Sequence, residues 1–243
     1  MAALPRAILF DLDETILSFG RRTDLLLELA GQFAERFAPV TPLESAQVVE
    51  AAFVAYWADP ARHKVGRLRL AEAREEIVEQ AFASLRPRAA GLTPDFARAF
   101  GRRFHTYREE QAKCFPGAVE TVEALKNLGV RLALVTNGTS EMQRQKIVRF
   151  DLARLFEHVQ IEGEAGFGKP EPQAYLHALQ NLGVAARDTW MVGDNLEWEV
   201  AAPQRLGIYA IWHDHLHTGL PPGSAIRPDR IIRSIPELLD GLA

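Results

Sequence analysis

Hydrophobic positions change their period along this chain, and the changes divide it into stretches of different kind. Ala7-Ile8-Leu9-Phe10 is an unbroken apolar run, the pattern of a short strand buried on both faces. From about Thr23 to Glu110 the period is helical and no strand is predicted. Leu25, Leu26, Leu29, Phe33 and Phe37 recur every three or four residues along a first helix. Thr41-Pro42-Leu43-Glu44 reads as a capping box with proline at the first helical position, opening a helix through Val48, Phe53 and Trp57. A further helix runs from about Arg67 to Leu85, and Thr93-Pro94 starts another that reaches about Glu110.

From Cys114-Phe115-Pro116-Gly117 onward the period alternates between strand and helix. Val119, Val122, Leu125 and Leu128 line a helix that Gly129 stops. Strands are predicted at about 131–135, 158–161, 189–192, 208–212 and 230–232, with helices at about 140–149, 171–182 and 196–206. Alternation of this kind gives a parallel sheet with crossover helices. The fold class is therefore α/β, a doubly wound parallel sheet, with the isolated first strand completing the sheet. The α/β core comprises residues 1–16 and 114–243, and residues 17–113 form an inserted all-helical domain. Ser18-Phe19-Gly20 and Lys113 to Gly117 are the hinge candidates, because glycine and proline break regular structure there.

Composition narrows the class of partner. The 243 residues, 47% hydrophobic and 25% charged, suit one large or two modest globular domains with a real core. A formal net charge of -4, with lysine and arginine scattered along the chain, leaves no basic footprint for nucleic acid or an anionic membrane. No apolar run approaches the roughly 20 residues that cross a bilayer. Cys114 is the one cysteine and has no internal disulfide partner, and the early apolar run is too short for a signal-peptide core, so the cytoplasm is the expected compartment. Oligomeric state leaves no mark in the sequence.

Candidate chemistry gathers where strands end. Asp11 and Asp13 follow the first apolar run at a spacing that starts both side chains on one face. Two adjacent acids repel unless a divalent cation, a shared proton or a cationic side chain compensates them. Downstream, residues 130–135 end in Thr136-Asn137-Gly138-Thr139, Gly168-Lys169-Pro170 leads into a helix, and residues 189–192 end in Gly193-Asp194-Asn195-Leu196-Glu197-Trp198-Glu199. In open α/β sheets ligands bind outside the carboxyl ends of the strands, so these segments can line one crevice. The backbone amides of Asn137 and Gly138, where a strand runs toward a helix N-terminus, form a natural anion site.

The ordered set D-x-D-x-T, strand-terminal Thr, G-K-P and G-D-x₄-E resembles the haloacid dehalogenase-like hydrolase superfamily, over nearly the whole chain from Asp11 to Glu199. The resemblance implies a Rossmann-like core, a helical cap of the C1 type that closes over the site, and magnesium-dependent hydrolysis of a small phosphorylated metabolite. It makes Asp11 the nucleophile that forms an aspartyl-phosphate and Asp13 the general acid and base, with its backbone carbonyl meeting the metal. Thr136 becomes a phosphate ligand and Lys169 the neutraliser of nucleophile and phosphate. The Mg²⁺ set is Asp11, Asp13, Asp194 and Glu199; the last stands where the family usually has Asp, and it ligates directly, acts through water or holds Lys169. Thr15 contacts the site or caps the turn. An acid at Asp13 favours phosphate chemistry over carbon–halogen cleavage, since the dehalogenases of the superfamily lack one there. A phosphomutase uses the same motifs, and a non-catalytic phospholigand-binding protein is the alternative outside enzymes. In the cap, Tyr56, Trp57, Arg62, His63, Lys64 and Arg67 are substrate-contact candidates on ordinary amphipathic helices. His213-Asp214-His215-Leu216-His217 has the local density of a zinc site but enters a Gly/Pro loop without a supporting cysteine.

Overall fold

A computed structural model describes residues 4–240. They form two compact units, one made of the chain up to Ser18 and from Lys113 on, the other of Phe19–Ala112. In chain order, β1 (Ala7–Phe10) and β2 (Leu17–Ser18) precede six helices: α1 (Arg22–Gly31), α2 (Ala34–Phe37), α3 (Pro42–Trp57), α4 (Pro60–Gly66), α5 (Leu70–Leu85) and α6 (Pro94–Glu110). Then come β3 (Lys113–Cys114), α7 (Ala118–Asn127), β4 (Arg131–Thr136), α8 (Ser140–Arg149), β5 (His158–Ile161), α9 (Glu162–Ala165), α10 (Pro172–Leu182), β6 (Thr189–Gly193), α11 (Ala202–Gln204), β7 (Tyr209–His213) and β8 (Arg230–Ile232). Among the described residues no helix is long and apolar enough to cross a membrane.

The first unit is built on a six-stranded sheet in the order β5-β4-β1-β6-β7-β8, with every pairing parallel. β1 lies at its centre. Its four residues pair with residues 131–134 on one side and 189–192 on the other, which is why all four are fully buried. Alternation along the strands splits the core into two layers. Ala7 and Leu9 pack with Ala133, Val135 and Met191 against Tyr175, Ala178 and Leu182 of α10. Phe10 takes the other face, edge-on to Phe156 at 6.2 Å between ring centroids. A two-residue antiparallel ladder of β2 with β3, absent from the periodicity, brings together the points where the chain leaves and re-enters this unit.

The helical unit corrects the element boundaries in three places. The helix expected through Phe37 stops at Gly31, a poor helix former, and resumes as α2, while its apolar positions still share one core. The stretch expected to begin a helix at Arg67 is preceded by α4, opened by the Asp59 carboxylate on the amides of Ala61 (2.8 Å) and Arg62 (3.3 Å) with Pro60 in the first turn. At Thr41 the hydroxyl caps Glu44 N–H at 3.1 Å, but the Glu44 carboxylate goes to Arg88 and leaves the box half made. The interior is aromatic: Phe37 lies 5.4 Å from Phe82 and 5.9 Å from Phe100, centroid to centroid.

In the α/β unit the helix expected over residues 196–206 is instead a π-helical turn, Leu196–Ala201, followed by α11. Pro203 has no N–H to give the carbonyl of residue 199, so the α-helical ladder cannot run through it. Wide turns of this kind concentrate at functional sites.

Candidate active site

Five strand ends supply the site. Asp11 follows β1, with its N–H bonded to Val192 O at 3.0 Å, so the nucleophile candidate sits on a continuation of the central ladder. Thr136 closes β4, Glu162 follows β5, Asp194 follows β6 and His213 closes β7. All lie at the carboxyl edge, where an open parallel sheet binds its ligand.

Lys169 is the centre of the buried charge. It is fully buried, its Nζ 2.5 Å from Asp11 Oδ1 and 2.8 Å from Glu199 Oε1. Asn137 fixes the lysine's backbone from both sides, donating to Lys169 O at 2.7 Å and accepting from Lys169 N–H at 2.9 Å. Two glycines make room for this arrangement. A Cβ on Gly193 would stand 2.0 Å from Glu199 Cγ, and one on Gly168 would stand 2.6 Å from Glu162 Cδ and 2.7 Å from Asn137 Oδ1. Either substitution would push a buried carboxylate off its partner.

The electrostatics follow from three acids around one lysine. Burial works against the lysine's charge, but the carboxylates of Asp11 and Glu199 outweigh it and raise Lys169 above its ordinary value. Burial also raises the acids: Asp11 in spite of Lys169, Glu199 to about 7, and Asp194 well above its usual range, with the charges of Glu199 and Asp11 adding to the effect. A single ammonium does not neutralise three carboxylates. An additional cation among these hard oxygens would, and the donor set fits a divalent ion of the magnesium type. Among the described residues no group of three or more His, Cys, Asp or Glu side chains is placed to hold a metal. A smaller protein ligand set is compatible with Mg²⁺, which retains several waters.

Several of the expected residues have protein partners in this geometry. Glu199, expected in the metal set or as the holder of Lys169, has one oxygen on Lys169 and the other on Asn195 N–H at 2.8 Å. The Asp13 side chain, also expected in that set and as the proton carrier, is gripped by Lys146 Nζ, 2.9 Å from each oxygen, and by Gln143 Nε2 at 3.1 Å. Its carboxyl is thus ion-paired to Lys146. Gly138 N–H, expected to face an anion, donates to Glu162 Oε2 at 3.1 Å, so a protein carboxylate takes that amide. Thr136 Oγ1 accepts from Gln143 Nε2 at 2.5 Å. Thr15 is buried, and its hydroxyl has no hydrogen-bond partner among the described residues. In the histidine-rich segment the Asp214 carboxylate closes a turn on the amides of Thr218 and Gly219, each at 2.9 Å, which is a structural use of the acid.

Gln143 and Lys146 were outside the sequence expectations. Their signal lay in α8, whose inward face is Gln143, Lys146 and Ile147, with polar residues where a core helix normally puts apolar ones.

Comparison with known proteins agrees with this geometry. A family model described as haloacid dehalogenase-like hydrolase matches residues 5–207. The phosphoserine phosphatase of Thermus thermophilus is 36% identical over 169 residues, covering 70% of this chain and 59% of that protein. Across the first phosphatase relatives the match spans about half of their length. Pyrimidine 5'-nucleotidase YjjG of Escherichia coli is 27% identical over 232 residues, 95% of each chain. The crystal structure of the HAD-hydrolase YfnB from Bacillus subtilis bound to magnesium superposes with a TM-score of 0.68 at 22% identity, covering 98% of each chain, a likeness of fold.

Proposed function

This chain belongs to the haloacid dehalogenase-like hydrolase family, and we propose that it is a phosphatase that hydrolyses a small phosphomonoester through an aspartyl-phosphate on Asp11. The observation that carries the reading is the pairing of Asp11 with the fully buried Lys169, beside a second acid two residues on. The ammonium aims the carboxylate and opposes the burial that disfavours its charge, as a nucleophile requires. Its oxygen attacks phosphorus and the ester P–O bond breaks. The departing alkoxide takes a proton from Asp13, which requires that carboxyl to leave Lys146 and gain a proton first. In the second half Asp13 removes a proton from water, the water oxygen attacks phosphorus, and the acyl-phosphate bond breaks to restore Asp11 and release phosphate. Thr136 and Lys169 bind the phosphoryl oxygens, and Glu199 keeps Lys169 in place.

Asp11, the Asp13 carbonyl and Asp194 would hold the divalent ion, which we take to be Mg²⁺. When bound it supplies charge stabilisation to the phosphoryl group. The relatives' names support the reaction class but spread over unlike substrates, phosphoserine and pyrimidine nucleotides among them, so the substrate is proposed only as a small phosphorylated metabolite. Incubating the protein and Mg²⁺ with a panel of phosphorylated metabolites should release inorganic phosphate from at least one. Isomerised sugar phosphate without free phosphate would mean a mutase, and no turnover at all would overturn the reading.

A further inference from the structure

His213 ends β7 among the strand ends that carry the site, and the proposed steps give it no task. Its imidazole is 1% exposed, and Nδ1 lies 3.1 Å from the carbonyl oxygen of Glu14. A carbonyl only accepts, so Nδ1 carries the proton and donates. Burial, helped by the neighbouring His215, pushes His213 down to about 4 against the backbone groups of Glu14 and Arg233, which keeps the ring neutral near neutral pH.

The acceptor is not an ordinary residue. Glu14 follows Asp13 directly and has a φ of +61°, a left-handed conformation that strains a residue with a Cβ. Such backbone persists only where its surroundings hold it. The amides of Ile16 and Leu17, on Leu12 O at 3.0 and 2.9 Å, do so together with further contacts. Glu14 N–H donates to Leu17 O at 2.6 Å, Phe115 N–H donates to Ile16 O at 2.9 Å, and His213 takes the Glu14 carbonyl. The Phe115 ring stands edge-on to His213 at 4.9 Å, with His215 on the imidazole at 5.6 Å, so the donor is itself held in place.

We infer that His213 is a positioning residue for the hydrolysis proposed above: its Nδ1–H fixes the left-handed turn at Glu14 and thereby the placement of Asp13 relative to Asp11. This rests on the phosphatase reading. The ring touches neither substrate nor reacting atoms, so its effect passes through the backbone to the proton carrier.

Kinetics of wild type, His213→Leu and His213→Asn on p-nitrophenyl phosphate and on an alkyl phosphate test this. Leucine fills the space without a donor, and the Nδ2 of asparagine takes the place of the imidazole Nδ1. His213→Leu should lower kcat for the alkyl ester about 10- to 100-fold, the scale of a small misplacement at a reacting group, with KM little changed. Where phosphorylation of Asp11 limits turnover, the condition under which the two esters are compared, the aryl ester should suffer less, because its leaving group needs little help from a proton donor. His213→Asn should restore most of the alkyl activity. Long-range ¹H–¹⁵N correlation on the wild type should show a neutral His213 protonated at Nδ1, whether or not the leucine variant folds. Unchanged alkyl kcat in His213→Leu, equal losses on both esters, an asparagine variant without rescue, or an Nε2–H tautomer would each overturn the inference. A wild type inactive on every phosphate ester would overturn the phosphatase reading and this role with it, whereas an active wild type with an unaffected leucine variant overturns this role alone.

Discussion

The α/β unit and the helical unit bury different things. At the carboxyl edge of its sheet the first buries Asp11, Thr136, Gln143, Lys146, Glu162, Lys169 and Glu199, each engaged by another polar group. The second also buries Arg67 and Arg74, the latter paired with Glu109, but fills its interior with Phe37, Phe53, Phe82, Phe100 and Phe104. Burying charge costs several kcal/mol per ion and is recovered only with close partners, whereas burying an aromatic ring is favourable in itself. The comparison teaches where to look for chemistry. Polar groups held out of water at the sheet edge have a use beyond stability; the phenylalanine cluster needs no other use.

The largest effect that would break this contrast is on turnover. Asp11→Asn should lower kcat by about 10⁴-fold or more, the scale of deleting a nucleophile from a cooperating set, with a far-UV circular dichroism spectrum like that of the wild type. Turnover within tenfold of the wild type would remove the nucleophile from Asp11. Next, Lys169→Met leaves Asp11 and Glu199 facing each other without a cation, and urea unfolding should show a loss of about 3–5 kcal/mol. Adding Glu199→Gln to that variant should recover part of the loss, because one of the two stranded charges is gone.

In the helical unit, Phe82→Ala should also cost about 3–5 kcal/mol, this time from a cavity, while kcat per folded molecule is unchanged. A fall in kcat as deep as that of Asp11→Asn would give the aromatic core a catalytic part and erase the contrast.

The smallest predicted effect is a pH dependence. Glu199 is raised to about 7 by burial, and Asp11 and Asp194 are raised in the same direction. An acid whose folded-state value exceeds its unfolded one binds more protons when folded. Its stabilising contribution is complete below the unfolded value, about 4.5 for Glu199, and is lost as pH rises through about 7. Lys169, raised from 10.5, contributes fully throughout this window. Without divalent ions the melting temperature should therefore fall between pH 4.5 and 7, by about 2–4 °C for each kcal/mol lost. Millimolar Mg²⁺ should raise it again, more at pH 8 than at pH 5, and Asp194→Asn should abolish the Mg²⁺ increment. Scanning calorimetry at the two pH values checks both halves.

Local pattern carried most of the scaffold. The strands expected at 7–10, 131–135 and 189–192 were visible because the centre of a buried parallel strand is a continuous apolar run. Asp11, Lys169, Thr136 and Asp194 were visible because each follows a strand or opens a helix in a fixed order. What escaped depends on contacts between distant residues. Lys146 reaches Asp13 across 133 positions, and nothing near either residue announces the pair. The claim of Glu162 on the Gly138 amide and the two-residue strands β2 and β3 are equally non-local or too short to have a period. The π-helical turn before Pro203 was misread because helical periodicity does not resolve a wide turn from an ordinary one.

The central place of β1 has a consequence for how the molecule is made. The strand leading to Asp11 leaves the ribosome before its partners at residues 131–134 and 189–192, which arrive only after the whole helical unit has been synthesised. Helices built from neighbours such as α5 and α6 form through short-range contacts and fold fast, while pairings of this sequence separation close slowly. Residues 7–10 must therefore wait as an unpaired apolar segment, the kind of edge on which nascent chains aggregate. Recovery of soluble protein should be limited by chaperone supply during that wait rather than by the stability of the finished fold.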